Sequence, residues 1–175
     1  MISSLPQTQM TVRLEPAAAA ALAIMARRAG QEAADYAAGV LTRNVLDVIQ
    51  ETDQATATRL QAEMEIKSRA IALAQKLSPE SVFDPNVTLK VFQAIRIDPQ
   101  LRTTYLRAVA SETGAERGNP IKSRINRALG AAIRTAVKAD PEISAGNPVK
   151  VQISGELIFS YTRLKRADGS ILVAQ

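Results

Sequence analysis

A chain of 175 residues that is 46% hydrophobic but 3% aromatic, with no tryptophan, has material for one ordinary domain and a small second one. Its core must come from Ala, Leu, Ile and Val, which suits closely stacked helices. The absence of cysteine and histidine removes disulfides, the usual zinc sites, thiol nucleophiles and the side chain most used for proton transfer near neutral pH. The formal charge of +5 is unevenly spread: residues 1–80 hold eight basic and nine acidic side chains, residues 81–175 fourteen and eight. The second half therefore favours a polyanionic partner, nucleic acid first.

In chain order, residues 9–30, QMTVRLEPAAAAALAIMARRAG, are the first informative stretch. Read as an export signal, the stretch lacks a positive start, since Glu15 cancels Arg13, and its apolar run is mostly alanine. A spanning helix needs about 20 apolar residues, roughly twice what is here. The expectation is a cytoplasmic protein that does not engage a membrane. Residues 9–14 instead alternate, with Met10, Val12 and Leu14 on one strand face and Gln9, Thr11 and Arg13 on the other. Pro16 suits a first helical turn, Ala17–Ala29 is strongly helix-forming with Leu22, Met25 and Ala29 on one side, and Gly30 is a natural stop. A second helix is expected from Glu32 to Ile49, burying Tyr36, Val40, Leu41, Val45 and Val48.

One strand and two helices in some forty residues cannot pair the strand or bury both helices alone. A symmetric dimer, with two strands paired antiparallel over interlocked helices, resolves both problems. Through MTVRLEPAAAAALAIMARRAG and QEAADYAAGVLTRNVLDVI the region around residues 8–50 resembles the MetJ/Arc-like ribbon-helix-helix DNA-binding family. That resemblance implies a homodimer on double-stranded DNA, the ribbon in the major groove and phosphate at the second helix's N-terminus. It implies Gln9, Thr11 and Arg13 as the base-reading residues, whose donors and acceptors fit base edges. It also implies a transcriptional regulator, an antitoxin or a partition-type factor, with a pseudo-palindromic or repeated site. Residues 1–50 carry four basic and four acidic side chains, so the alternative is a small dimerisation unit, or a lone edge strand on a helical domain, with Arg13 solvated.

Beyond the polar QETDQATAT at residues 50–58, a helix is expected over Arg59–Leu77, with a broad apolar stripe for burial between neighbours. Val87–Ile97 and Pro99–Ser111 read as two shorter helices, the second capped by Asp98, and GAERGNP at residues 114–120 as a turn or linker. In IKSRINRALGAAIRTAVKA, Ile121, Ile125, Leu129, Ala132, Ile133 and Val137 form the apolar side. Arg124, Arg127, Arg134 and Lys138 gather opposite, within a span, Arg117 to Lys138, of six basic and no acidic residues. Such a face is a candidate phosphate-binding site; the alternative is an ordinary solvated face.

The chain closes with strands expected at Val149–Ile153 and Leu157–Leu164 around a Ser154-Gly155 turn, then a second turn at Asp168-Gly169 into Ile171–Val173. Phe159 and Tyr161 either stack on bases or cover the apolar face of this sheet. Glu63 with Lys67 and Glu112 with Glu116 have helical spacing without a reaction. No phosphate-cradling loop, metal cluster or nucleophile-base pair is present, so no enzyme, cofactor or metal is expected. The expected fold is mainly α with small β elements. It comprises a ribbon-helix-helix module (residues 1–50), a helical middle (51–115), and a basic helix followed by a C-terminal β-hairpin or small sheet (116–175). The rival function is a non-enzymatic interaction or inhibitor protein whose basic half meets an acidic protein or a nucleoprotein complex.

Overall fold

The structure, a computed structural model, describes residues 11–79, 82–114 and 116–167. Among these, six helices precede a set of short strands. Helix α1 (Pro16–Arg28) opens with proline in its first turn and closes into Gly30, whose φ of +64° only glycine adopts without strain. A Cβ at that position would stand 3.4 Å from Ala136 Cα and 3.5 Å from Ile71 Cγ2. The α1–α2 turn is therefore seated against two distant helices.

Helix α2 (Ala33–Thr52) gives way to α3 (Gln54–Leu77) at one residue, Asp53. Its Oδ1 accepts the Thr56 amide at 3.0 Å, and hydrogen bonding to Thr56 holds the carboxyl below its usual range. The polar stretch thus hosts a cap, and α3 starts ahead of the expected Arg59 because the cap supplies the nucleus. Helices α4 (Val87–Ile97) and α5 (Pro99–Ala108) meet at Asp98, whose Oδ1 accepts from the amides of Gln100 at 2.9 Å and Leu101 at 3.0 Å. Helix α6 (Pro120–Ala136) starts the same way, Asn119 Oδ1 accepting the Lys122 amide at 3.0 Å.

Helix α3 is the axis of the molecule, packing against α2, α4, α5 and α6. Small residues on its buried side, Ala62, Ala70 and Ala74 beside Ile66, admit the neighbouring backbones. The main apolar cluster runs from Ala62 through Val91, Phe92, Tyr105 and Leu129 to Leu164. It joins the segments read as a helical middle and a basic C-terminal part, and no residue before Ala62 belongs to it.

After α6 the chain forms antiparallel two-stranded ladders. Strand β1 (Ala139–Pro141) pairs with β6 (Leu164–Arg166), Ala139 opposite Arg166. A tight hairpin joins β2 (Ile143–Ser144) to β3 (Asn147–Pro148) through Ala145 and Gly146, both at positive φ as such turns require. Strand β4 (Lys150–Gln152) pairs with β5 (Ser160–Thr162), Val151 opposite Tyr161. The expected hairpin is present in part: β4 and β5 pair, but residues 153–159 form a longer loop instead of a tight turn at Ser154-Gly155, and the strand expected over Leu157–Leu164 is reduced to Ser160–Thr162, with Leu164 in β6. The strand at Ala139–Pro141 was not expected, because three residues containing a proline give no alternation to read. The second turn and the strand expected at Ile171–Val173 lie outside the described residues.

Two N-terminal expectations change. Residues 11–15 lie in no strand, and Val12 and Leu14 are exposed, so the described part of the strand read at residues 9–14 is not half-buried within one chain; Gln9 and Met10 lie outside the described residues. Helix α2 buries Leu46, whereas Leu41, Val45 and Val48, expected inside, stand 47%, 48% and 62% exposed. Helix α2 carries apolar residues on more than one side, and packing against α1 and α3 buries the one at Leu46.

Candidate functional site

The base-reading candidates fall at the start of the described chain. Thr11 and Arg13 are exposed in the segment ahead of α1; Gln9 lies outside the described residues. Behind them, the α1–α2 unit carries seven of the eleven exposed large apolar side chains among the described residues: Val12, Leu14, Ile24, Met25, Leu41, Val45 and Val48. The last three follow helical spacing and form one stripe. The N-terminus of α2 has Glu32 as its N-cap and Asp35 in the first turn, the latter 3.9 Å from Lys67 Nζ. This end of the helix thus presents carboxylates rather than a bare anion cradle.

The four cations read as a phosphate face are divided among three settings. Arg124 crosses to α3, where Nη1 and Nη2 donate to Oε1 and Oε2 of Glu63, each at 2.6 Å, a fork-to-fork pair. The hydrogen bonds to Glu63 raise its pKa further above an already high value, burial opposing. Arg59 reaches the same carboxylate at 3.5 Å. Arg127 and Arg134 face a cleft of about 540 Å³ between α6 and the β4–β5 hairpin, and Lys150 lies on its opposite wall. Lys138 sits two residues past α6 at φ +51° and lines a separate cavity with Arg166 and Phe83. The helical wheel places residues around one axis; the neighbours of α6 decide what each arginine meets.

The most buried charge of the basic helix was not singled out by its sequence. Lys122 is 3% exposed; its Nζ donates to Gly114 O at 2.6 Å and stands 4.5 Å from the Phe159 ring centre, with the Arg117 guanidinium 4.8 Å from the same ring. Burial lowers the lysine pKa, opposed by the charge of Glu116. A signal existed: Lys122 lies three and seven residues before Ile125 and Leu129, on the apolar side. Gly114 is fitted to this loop, with φ +73° and a would-be Cβ 3.0 Å from Leu106 Cδ2. Ser111 and Thr113 donate to the Glu116 carboxylate, whose pKa falls to about 2, the Ser111 bond contributing most.

Tyr161 is buried and donates to Asn86 Oδ1 at 2.8 Å, so it belongs to the sheet's apolar face and is closed to stacking on a base. Phe159 stays half-buried in the cleft wall. Among the described residues no cluster of acidic side chains has the geometry to hold a metal ion, and no helix is long and apolar enough to cross a membrane. Comparison with protein-family models, curated proteins and solved structures finds no match to this chain.

Proposed function

We propose that this chain is a dimeric, sequence-specific DNA-binding protein that reads the major groove with an antiparallel ribbon built from residues 9–14 of two copies. The observation that carries the reading is the exposed apolar face of the α1–α2 unit, with Val12 and Leu14 leading into it and Leu41, Val45 and Val48 along α2. Large apolar side chains left in water in this number mark an interaction surface, and a second copy covers the stripe while supplying the missing strand. Gln9, Thr11 and Arg13 then point away from the helices toward base edges. Arg124 takes a structural task in this reading, since Glu63 already meets its charge. A regulator, an antitoxin or a partition-type factor each fits such a ribbon.

The test is selection from a random duplex pool with the full-length protein near physiological salt. The expected result is a recurrent symmetric motif, lost when Gln9, Thr11 and Arg13 are changed to alanine while the fold and the dimer persist. Site preference that survives the triple change overturns the ribbon as reader. A dimer that recovers no motif identifies the rival instead: a neutral dimerisation unit whose basic half meets an acidic protein.

A further inference from the structure

We propose that the cleft between α6 and the β4–β5 hairpin is a binding site for a small organic anion: an apolar body, aromatic or aliphatic, bearing a phosphate or carboxylate group. The proposal concerns a different part of the molecule from the N-terminal ribbon and stands independently of it.

Three features specify this chemistry. Charge comes first. Arg127 and Arg134 reach the cleft from α6 and Lys150 from β4, while none of the residues lining it is acidic. Among the described residues neither Arg134 nor Lys150 has an ion-pair partner, whereas Arg124, only a few turns of chain away, is fully engaged by Glu63. Arg127, whose Nε also donates to Ser123 O at 3.2 Å, and Lys150 stand at the exposed rim and Arg134 is half-buried, so the cleft has a positive lining that an anion seated in it would neutralise.

The second feature is the wall. Phe92, Ile158 and Phe159 give the cleft an apolar interior, which a fully solvated inorganic ion has no means to cover. The third is size and shape. A cavity of about 540 Å³ falls within the range of roughly 300–1,000 Å³ typical of small-molecule sites. A duplex backbone is convex and fully hydrated, so it meets rim cations but leaves such an apolar recess filled with water. An arginine pair on one wall and a lysine opposite suit an anionic head with two or more oxygens, because the guanidinium fork binds phosphate or carboxylate bidentately.

The probe is phenyl phosphate, titrated calorimetrically into the full-length protein, with inorganic phosphate and phenol as comparators. The expected result is saturable binding of one phenyl phosphate per chain, about tenfold or more tighter than either comparator. Arg134→Gln and Lys150→Gln each weaken it by about fivefold or more. Ala131→Leu, which fills the cleft and leaves its charges, has a comparable effect; unchanged thermal unfolding verifies that each variant is folded. Binding of phenyl phosphate no tighter than inorganic phosphate overturns the site as one for an organic anion. Binding that persists in Ala131→Leu and Arg134→Gln places the ligand elsewhere. A short DNA duplex whose binding weakens in Arg134→Gln while phenyl phosphate binding does not change reassigns the cations to a phosphodiester backbone.

Discussion

The α1–α2 pair and the α3–α6 body are both helical and rich in small residues, yet they spend their apolar side chains in opposite ways. In the body, Ile66, Val91, Phe92, Ile95, Tyr105 and Ile133 are all at or below 1% exposure. In the pair, only Ala26 and Leu46 are buried among the described residues of 11–52. Local helix formation needs propensity, which both regions have, although side-chain N-caps occur at α3, α5 and α6 and not at α1 or α2; burial needs a neighbour for every apolar side. Helix α3 packs against four helices and keeps one side in solvent, whereas α2 packs against α1 and α3 and still leaves Leu41, Val45 and Val48 exposed. The lesson is that an amphipathic pattern tells which residues can be buried, while the neighbours available decide which of them are; the side of α2 left exposed is the one the proposed dimer covers.

The contrast can be pressed hardest at the core. Phe92→Ala, removing a ring that meets Tyr105 edge-on at 6.2 Å, is expected to cost about 3–5 kcal/mol in urea unfolding. The double change Leu41→Glu, Val45→Glu on the exposed stripe should leave the monomer's stability within about 0.5 kcal/mol. It should nevertheless abolish the proposed dimer in sedimentation, and with it the concentration dependence of the unfolding midpoint that such a dimer confers. An unchanged sedimentation coefficient would break the comparison by placing the stripe in solvent in every state.

A buried phenol gives the next effect. Tyr105 donates to Asn126 Oδ1 at 2.9 Å, and burial pushes its pKa from 10.0 up to about 12. Because the folded value lies above the unfolded one, the stabilisation is complete below about pH 10 and is lost as pH rises toward 12. The change amounts to about 2–3 kcal/mol. Tyr105→Phe should flatten this alkaline limb of a stability-against-pH curve; an equal limb in the variant would assign it to other groups.

Smaller again is the clasp between α3 and α6. Glu63→Gln leaves Arg124 facing a neutral amide and should cost about 1–2 kcal/mol, between the worth of an exposed and a buried pair. The loss should appear in chemical denaturation and shrink little with salt, whereas a steep salt dependence would mark the pair as solvent-screened. The smallest effect is a gain. Gly39 lies inside α2, and a Cβ there meets nothing within 4 Å, so Gly39→Ala should stabilise by about 0.5–1 kcal/mol. It lies opposite the Leu41, Val45 and Val48 stripe on a helical wheel, so the dimer should be unaffected; a weakened dimer would move the seam to that side.

The sequence by itself determined the helices and their punctuation. Pro16, Asp98 and Pro99 mark starts, Gly30 a stop, and the limits Val87–Ile97 are those of α4, while Pro120, read with the preceding turn, opens α6. These are local consequences of fixed φ, missing N–H groups and capping side chains. The mainly helical character and the late pairing of β4 with β5 were legible for the same reason. What the tertiary structure alone decided is which side of each helix turns inward and which charge meets which. Periodicity identified apolar residues on α2 but not that Leu46, rather than Leu41, Val45 and Val48, faces α3. The wheel grouped Arg124 with Arg127 and Arg134, but Glu63, sixty-one residues away, claims the first and leaves the others to the cleft. Lys122 similarly owes its burial to a loop carbonyl at Gly114 and the ring of Phe159. Such pairings join groups far apart along the chain, and their energies exist only once packing has brought the partners together and removed the water between them.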